Sequence, residues 1–214
     1  MSESFDTLAG TDDWLTPPEV VAALKACGGV ALDPCHSAES LLDAEYIIDV
    51  TDGGDGLRED WFEIDGIVYV NPPFSDLRSW VAKCATESAK GAHVLLLMPM
   101  RLDTVAVHEH ILGNDHARML AFKGRLGFHR SLASLERELA AAKLDTSGAG
   151  RRKALKLETR ITFMRGTNAK TMSFDKATFA TTLVHWLVDP EAKARVEHAF
   201  APLGAWLRPS RPGT

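Results

Sequence analysis

The 214 residues contain no apolar run near the roughly 20 needed to cross a bilayer, so a membrane protein is not expected. Residues 1–10 have neither a basic n-region nor an apolar h-region, which argues against a signal peptide. The three cysteines, Cys27, Cys35 and Cys84, make no CxxC pair and no even-numbered framework. That excludes a disulfide scaffold and fits a reducing cytoplasm. Internal repeats and low-complexity tracts are absent. No glycine-rich turn follows the first apolar strand, where Asp33-Pro34-Cys35-His36-Ser37-Ala38 stands instead.

Net positive charge is also missing: the chain carries −5. The total hides a contrast. Residues 1–117 hold 6 Lys+Arg against 21 Asp+Glu, whereas residues 118–165 hold 12 against 4. A basic block of this kind suits phosphate binding. The length and the 45% hydrophobic content suit one α/β domain with a modest insertion.

Residues 1–11 lack periodicity and are expected to be disordered. Thr16 is a helix cap with Pro17 in the first turn, and the helix runs to about Cys27, closed by Gly28-Gly29. Short strands follow at 30–33 and 45–50, with Trp61 and Phe62 assigned to the core. A strand at 67–70 leads into Asn71. Helix 76–90, strand 92–98, helix 104–112 and strand 118–122 continue the alternation. This pattern predicts an α/β fold with a mostly parallel twisted sheet and helices on both faces. Residues 124–128 read as a strand or hairpin edge, 132–143 as an amphipathic helix and 145–153 as a Gly/Ser loop. The alternation of 159–165 predicts a strand returning to 124–128. The intervening 131–158 would then project as a small basic insertion. Helices at 176–188 and 190–200 complete a single domain over 12–207, and 208–214 form a loose tail.

Asn71-Pro72-Pro73-Phe74 is the most informative stretch. Two prolines cannot donate to a sheet ladder, so the chain leaves the sheet there on a stiff loop. The loop lies at the carboxyl end of a strand, where open α/β sheets bind ligands. The exocyclic amine of adenine is a poor nucleophile because its lone pair is delocalised into the ring. The Asn71 side-chain oxygen and the Pro72 carbonyl are two acceptors suited to that amine, pulling it toward a pyramidal geometry. Phe74 is placed to stack on the base, worth about 1–3 kcal/mol. His108-Glu109-His110 with His116 does not make a metal site, because residues i and i+2 do not share a helix face.

Taken together, Trp14-x-Thr16-Pro17, Leu32-Asp33-Pro34-Cys35, Asp55-Gly56-Leu57 with Trp61, Asn71-Pro72-Pro73-Phe74 with Trp80, Met98-Pro99 with Arg101, and Gly124-Arg125-x-x-Phe128 resemble the phage-type Dam family of DNA N6-adenine methyltransferases. The resemblance covers roughly residues 12–130 and the segment 159–165. It implies a Rossmann-like methyltransferase domain and S-adenosylmethionine as methyl donor. It implies that Asn71, Pro72, Pro73 and Phe74 hold the target adenine. Trp14, Thr16, Pro17, Asp33, Pro34, Cys35, Asp55, Leu57 and Asn71 would line the cofactor, with Thr16 and Pro17 near its methionine end and Asp33 near its amino group. Asp55 would accept from its adenine, Leu57 would pack on that ring, and Asp49 or Asp52 rivals Asp55. Arg101, Arg125, Arg151, Arg152, Lys153 and Lys156 are the candidates for contact with DNA. A phage or prophage role, such as protecting DNA from restriction, is implied by the resemblance. The alternatives are an RNA or protein-glutamine acceptor, or a non-catalytic DNA-binding relative. Nothing in the sequence reports the oligomeric state or the recognition sequence.

Overall fold

The computed structural model describes residues 14–49, 52–167, 171–173 (backbone) and 179–208. The expected disorder at 1–11, the residues of the tail beyond 208, and Val50, the expected end of the second strand, lie outside them. Two compact units divide the chain: Thr16–Leu126 with Lys176–Thr214, and Met1–Leu15 with Gly127–Asp175.

The larger unit is built on a seven-stranded sheet in the order β2-β1-β3-β4-β8-β5-β9. Its strands are β1 (Val30–His36), β2 (Ala44–Asp49), β3 (Ile67–Val70), β4 (His93–Pro99), β5 (Arg118–Phe122), β8 (Thr181–His185) and β9 (Gly204–Leu207). Helices α1 (Pro18–Ala26), α2 (Leu77–Ala89), α3 (Val105–Val107) and α6 (Pro190–Phe200) lie on both sides of it. β1, β2, β3 and β4 pair in parallel. The three remaining pairings, β4 with β8, β5 with β8 and β5 with β9, are antiparallel. The sheet is therefore mixed, not mostly parallel as expected. β8 causes this: it returns after the smaller unit and inserts between β4 and β5. In place of the helix expected at 176–188, the described part forms this strand over Thr181–His185 with irregular chain on either side, because Thr181, Thr182 and Val184 are β-branched and all five residues are buried. β9 was not anticipated at all. The core runs between the sheet and α2, through Val68, Val70, Val94, Leu96, Trp80, Val81 and Trp61. Phe62, expected beside Trp61, is exposed. The expected helix 104–112 begins as α3 and continues as a π-turn over His108–Leu112.

The smaller unit is a helical hairpin with a short ribbon. β6 (His129–Ser131) pairs antiparallel with β7 (Thr171–Ser173), and Leu15 bridges to His129. α4 (Leu132–Leu144) starts at Ser131, whose hydroxyl accepts from the Ser134 N–H at 3.0 Å. α5 (Gly148–Thr167) then takes up the loop expected at 145–153 from Gly148 onward, and the strand expected at 159–165. The two-residue alternation of Thr159–Arg165 was misleading. Leu157, Ile161 and Met164 recur at helical spacing and bury against Leu135 and Ala142 of α4. The hairpin edge expected at 124–128 is irregular chain; the ribbon begins at His129 and pairs with β7.

Candidate active site

The strand order reverses between β1 and β3: from β1 the chain passes outward to β2, then returns to the other side for β3. A crevice outside the carboxyl ends of these strands is where open α/β sheets take ligands. Two of the expected site segments end there.

β1 ends in Asp33-Pro34-Cys35-His36. Its register with β2 slips, with Asp33 opposite Ile47 and His36 opposite Asp49. Three steps on β1 match two on β2, so one extra residue bulges out between Asp33 and His36. A bulge tolerates proline and re-aims the neighbouring side chain without needing glycine. Asp33 is only 3% exposed. Its Oδ1 accepts from the Cys35 N–H at 3.0 Å, and its Oδ2 lies 3.6 Å from His36 Nδ1. Burial pushes the Asp33 carboxyl up, against the pull of the Cys35 N–H and His36. Burial, then the Asp33 charge, raises the Cys35 thiol well above its usual value, so it is not a thiolate nucleophile.

The segment 55–57 docks onto this tip. A Cβ on Gly56 would stand 2.2 Å from the Pro34 carbonyl oxygen and 2.9 Å from Trp80 Cη2, so only glycine fits. Asp55 folds the turn through Oδ1, which accepts from the Leu57 N–H at 3.0 Å, and its Oδ2 meets Arg58 at 3.1 Å. Trp61 stacks on Trp80 with centroids 6.4 Å apart. The Trp61 backbone N–H donates to buried Glu87 at 2.9 Å. Burial would raise Glu87, but hydrogen bonds from Lys83 and Lys90 hold it below the usual carboxylate range. These contacts anchor the loop that carries Asp55 and Leu57. Asp49, the rival acid, ends β2 opposite His36, while Asp52 is exposed.

β3 delivers Asn71. Asn71 Nδ2 donates to Thr16 Oγ1 at 3.5 Å, and Thr16 Oγ1 donates to the Tyr69 hydroxyl at 3.3 Å. Thr16 is thus not the expected helix cap; α1 begins at Pro18 with no side-chain cap. Its hydroxyl is turned to the end of β3 instead. Tyr69 is fully buried, and burial pushes its phenol up, so it stays neutral. Past Pro72 and Pro73, Phe74 opens a 3₁₀ turn and meets Phe179 edge-on, with centroids 5.9 Å apart. A cleft of about 400 Å³ lies beside it, lined by Phe74, Leu77, Arg78, Val81, Arg101 and Ala106 among others.

The larger unit therefore brings together Thr16, Asp33, Cys35, Tyr69 and Asn71, with the 55–57 loop against Pro34. Trp14 belongs to the smaller unit, where it packs edge-on against Phe128 at 6.0 Å and under Arg130 at 5.5 Å. Arg101 and Arg125 sit on exposed turns after β4 and β5, whereas Arg151, Arg152, Lys153 and Lys156 lie on α5. Sequence reading missed Tyr69, Arg78, Glu87 and Phe179. Arg78 carried a signal, being four residues after Phe74 on the same helical face. Phe179 carried none, because its segment read as helix. Among the described residues, no three His, Cys, Asp or Glu side chains gather as metal ligands. None of the described helices is long and apolar enough to cross a membrane.

The fold and site define a mixed α/β protein with a buried carboxylate and an Asn-Pro-Pro-Phe loop at the ends of β1 and β3, where the strand order reverses. The model of the DNA N-6-adenine-methyltransferase (Dam) family matches residues 4–184, and the chain belongs to this family of DNA adenine-N6 methyltransferases. No curated protein and no solved structure matches the chain significantly.

Proposed function

We propose that the chain transfers a methyl group from S-adenosylmethionine to N6 of adenine at specific sites in DNA, using a Rossmann-like crevice over β1 and β3. The observation that carries this reading is the meeting of Asp33 and Asn71 at the strand-order reversal. The residues there fit the donor. Asp33 is a buried carboxylate raised by burial, and an ammonium beside it would favour its ionised form. Thr16, Pro17, Pro34 and Cys35 border the same place, and Asp55 and Leu57, or Asp49, are suited to the nucleoside end. When bound, S-adenosylmethionine supplies an electrophilic methyl group on a sulfonium.

The chain's own part is positioning. Thr16 engages the amide nitrogen of Asn71, which leaves Oδ1 as the amide atom suited to accept from the target amine, with the Pro72 carbonyl as second acceptor. Pro73 stiffens the exit, and Phe74, braced by Phe179, stacks on the base. No strong base is needed, since the amine sheds its proton after gaining the methyl. The target base leaves the duplex at a cost of a few kcal/mol. Arg101 and Arg125 on the larger unit, and Arg151, Arg152 and Lys156 on the smaller, are proposed phosphate contacts. A cytoplasmic, phage or restriction-related setting remains part of this proposal.

The test is an end-point assay with S-adenosylmethionine and unmethylated genomic DNA, digestion to nucleosides and mass spectrometry. N6-methyldeoxyadenosine should appear with the wild type and vanish with Asn71→Ala. Product from Asn71→Ala at the wild-type rate would sink this mechanism. Product on RNA or protein glutamine alone would move the acceptor.

A further inference from the structure

α5 has an unusual division of charge. Its buried face is Gly150, Leu157, Ile161 and Met164. At 100° per residue the opposite face carries Arg152, Leu155, Thr159 and Phe163, with Arg151 and Lys156 on its borders. Leu155 is 67% exposed and Phe163 58%. Every glutamate of the hairpin meets a cation at the seam between α4 and α5: Glu158 with Lys143 at 2.8 Å, Glu136 with Arg165 at 2.6 Å, and Glu138 with Lys153 at 2.9 Å and with Arg130. Asp145, the remaining acid, accepts from the Ser147 N–H at 2.9 Å in the turn before α5. The groove between the two helices therefore balances two acids with two bases. The outward face has cations and no acid. Among the described residues, the Arg151, Arg152 and Lys156 side chains make no ion pair.

We propose that this outward face is the base-reading surface for duplex DNA, with Leu155, Thr159 and Phe163 against base edges in the major groove and Arg151, Arg152 and Lys156 on the flanking phosphates. The proposal rests on the DNA acceptor above and adds what reads its sequence. A 20-residue helix is about 30 Å long, and the major groove, about 12 Å wide, admits a helix. Leu155 and Phe163 are eight residues apart, about 12 Å along the axis, with Thr159 between them. They form two separate apolar contacts in a cationic field. Thymine methyl groups take apolar side chains of this kind, and the Thr159 hydroxyl, which donates to the Leu155 carbonyl at 3.0 Å, keeps its lone pairs to accept at base edges.

The test uses two triple variants of the full chain, both confined to exposed side chains, with circular dichroism to establish that α5 is retained. One is Arg151→Gln/Arg152→Gln/Lys156→Gln and the other Leu155→Ala/Thr159→Ala/Phe163→Ala. Duplexes are selected from a random pool by binding and sequenced, and affinity is followed against salt. The charge variant should weaken binding to every duplex alike, and flatten the slope of log K against log salt by about 2.7, at about 0.9 per contact. The face variant should keep the slope but lose about 10-fold or more of the preference for the selected duplexes. A face variant that selects the wild-type sequences would overturn the proposal. So would a wild type without sequence preference, an unchanged slope in the charge variant, or a face variant altered only in self-association. The selection needs no methyl transfer. A wild type that selects through this face yet never methylates DNA would sink the methyl-transfer reading alone.

Discussion

Gly56→Ala is the sharpest test of how the proposed cofactor site is built around the 55–57 loop. The added methyl would stand 2.2 Å from the Pro34 carbonyl oxygen, 3.1 Å from its carbon and 2.9 Å from Trp80 Cη2. Side-chain carbons essentially never come within 3.0 Å of a neighbour, so the contact opens only if the backbone moves by about 1 Å. Pro34 is held in the β1 bulge and Trp80 is pinned against Trp61, so the 55–57 loop is the part that yields. Overpacking of this kind costs about 1–3 kcal/mol. For a chain of this size that lowers the melting midpoint by about 2–12 °C. The displaced loop carries Asp55 and Leu57. Losing one well-placed contact, about 1.4 kcal/mol, weakens S-adenosylmethionine binding about 10-fold. Thermal melts with and without S-adenosylmethionine, together with calorimetry, measure both effects. Gly166→Ala is the control, since nothing lies within 4 Å of its Cβ and the site is helical. A Gly56→Ala protein with wild-type midpoint and cofactor affinity would refute the packing argument. A lowered midpoint with full affinity would remove the 55–57 loop from the cofactor site.

Two further outcomes are expected. Asp33→Asn keeps an acceptor for the Cys35 N–H and removes the charge. Because the folded carboxyl is raised, its stabilising share is present below the unfolded value and lost as pH rises through the folded one. Ligand-free Asp33→Asn should therefore melt above wild type at pH 8, with the gap closing as pH falls toward the ordinary carboxyl value of 3.8, and should bind S-adenosylmethionine at least about 10-fold more weakly; a variant that melts lower at pH 8 counts against the buried charge. His185 runs the other way. Burial, with Lys193 and Arg118 nearby, pushes it down to about 3, outweighing the Glu197 carboxylate 3.4 Å from Nε2, and Nδ1 accepts from the Leu187 N–H. The neutral ring is favoured above 6.5, so stability should fall as pH drops from 6.5 toward 3, by up to about 1.4 kcal/mol per unit. Denaturant melts should find that slope reduced by about one proton in His185→Asn; an unchanged slope would remove His185 from the acid response.

The legible parts of this protein were those whose physics is local. Asn71-Pro72-Pro73-Phe74 announced a stiff exit from a buried strand because proline geometry needs no partner to act. Leu32-Asp33 announced an acid at a strand tip, and the spacings in α2 and α6 announced helices, for the same reason. The family resemblance rested on these short motifs in order. Tertiary structure decided what depends on distant partners. The alternation of Thr159–Arg165 suits a strand, and only the apolar face of α4 makes it a helix. Thr181–His185 became a central antiparallel strand because a gap between β4 and β5 was there to be filled. Thr16 has the chemistry of a cap, yet its hydroxyl meets Tyr69, 53 residues away. Gly56 is required by the Pro34 carbonyl, a neighbour that no local spacing can reveal. Local backbone chemistry wrote the site's residue types, while long-range packing chose which of them stand together.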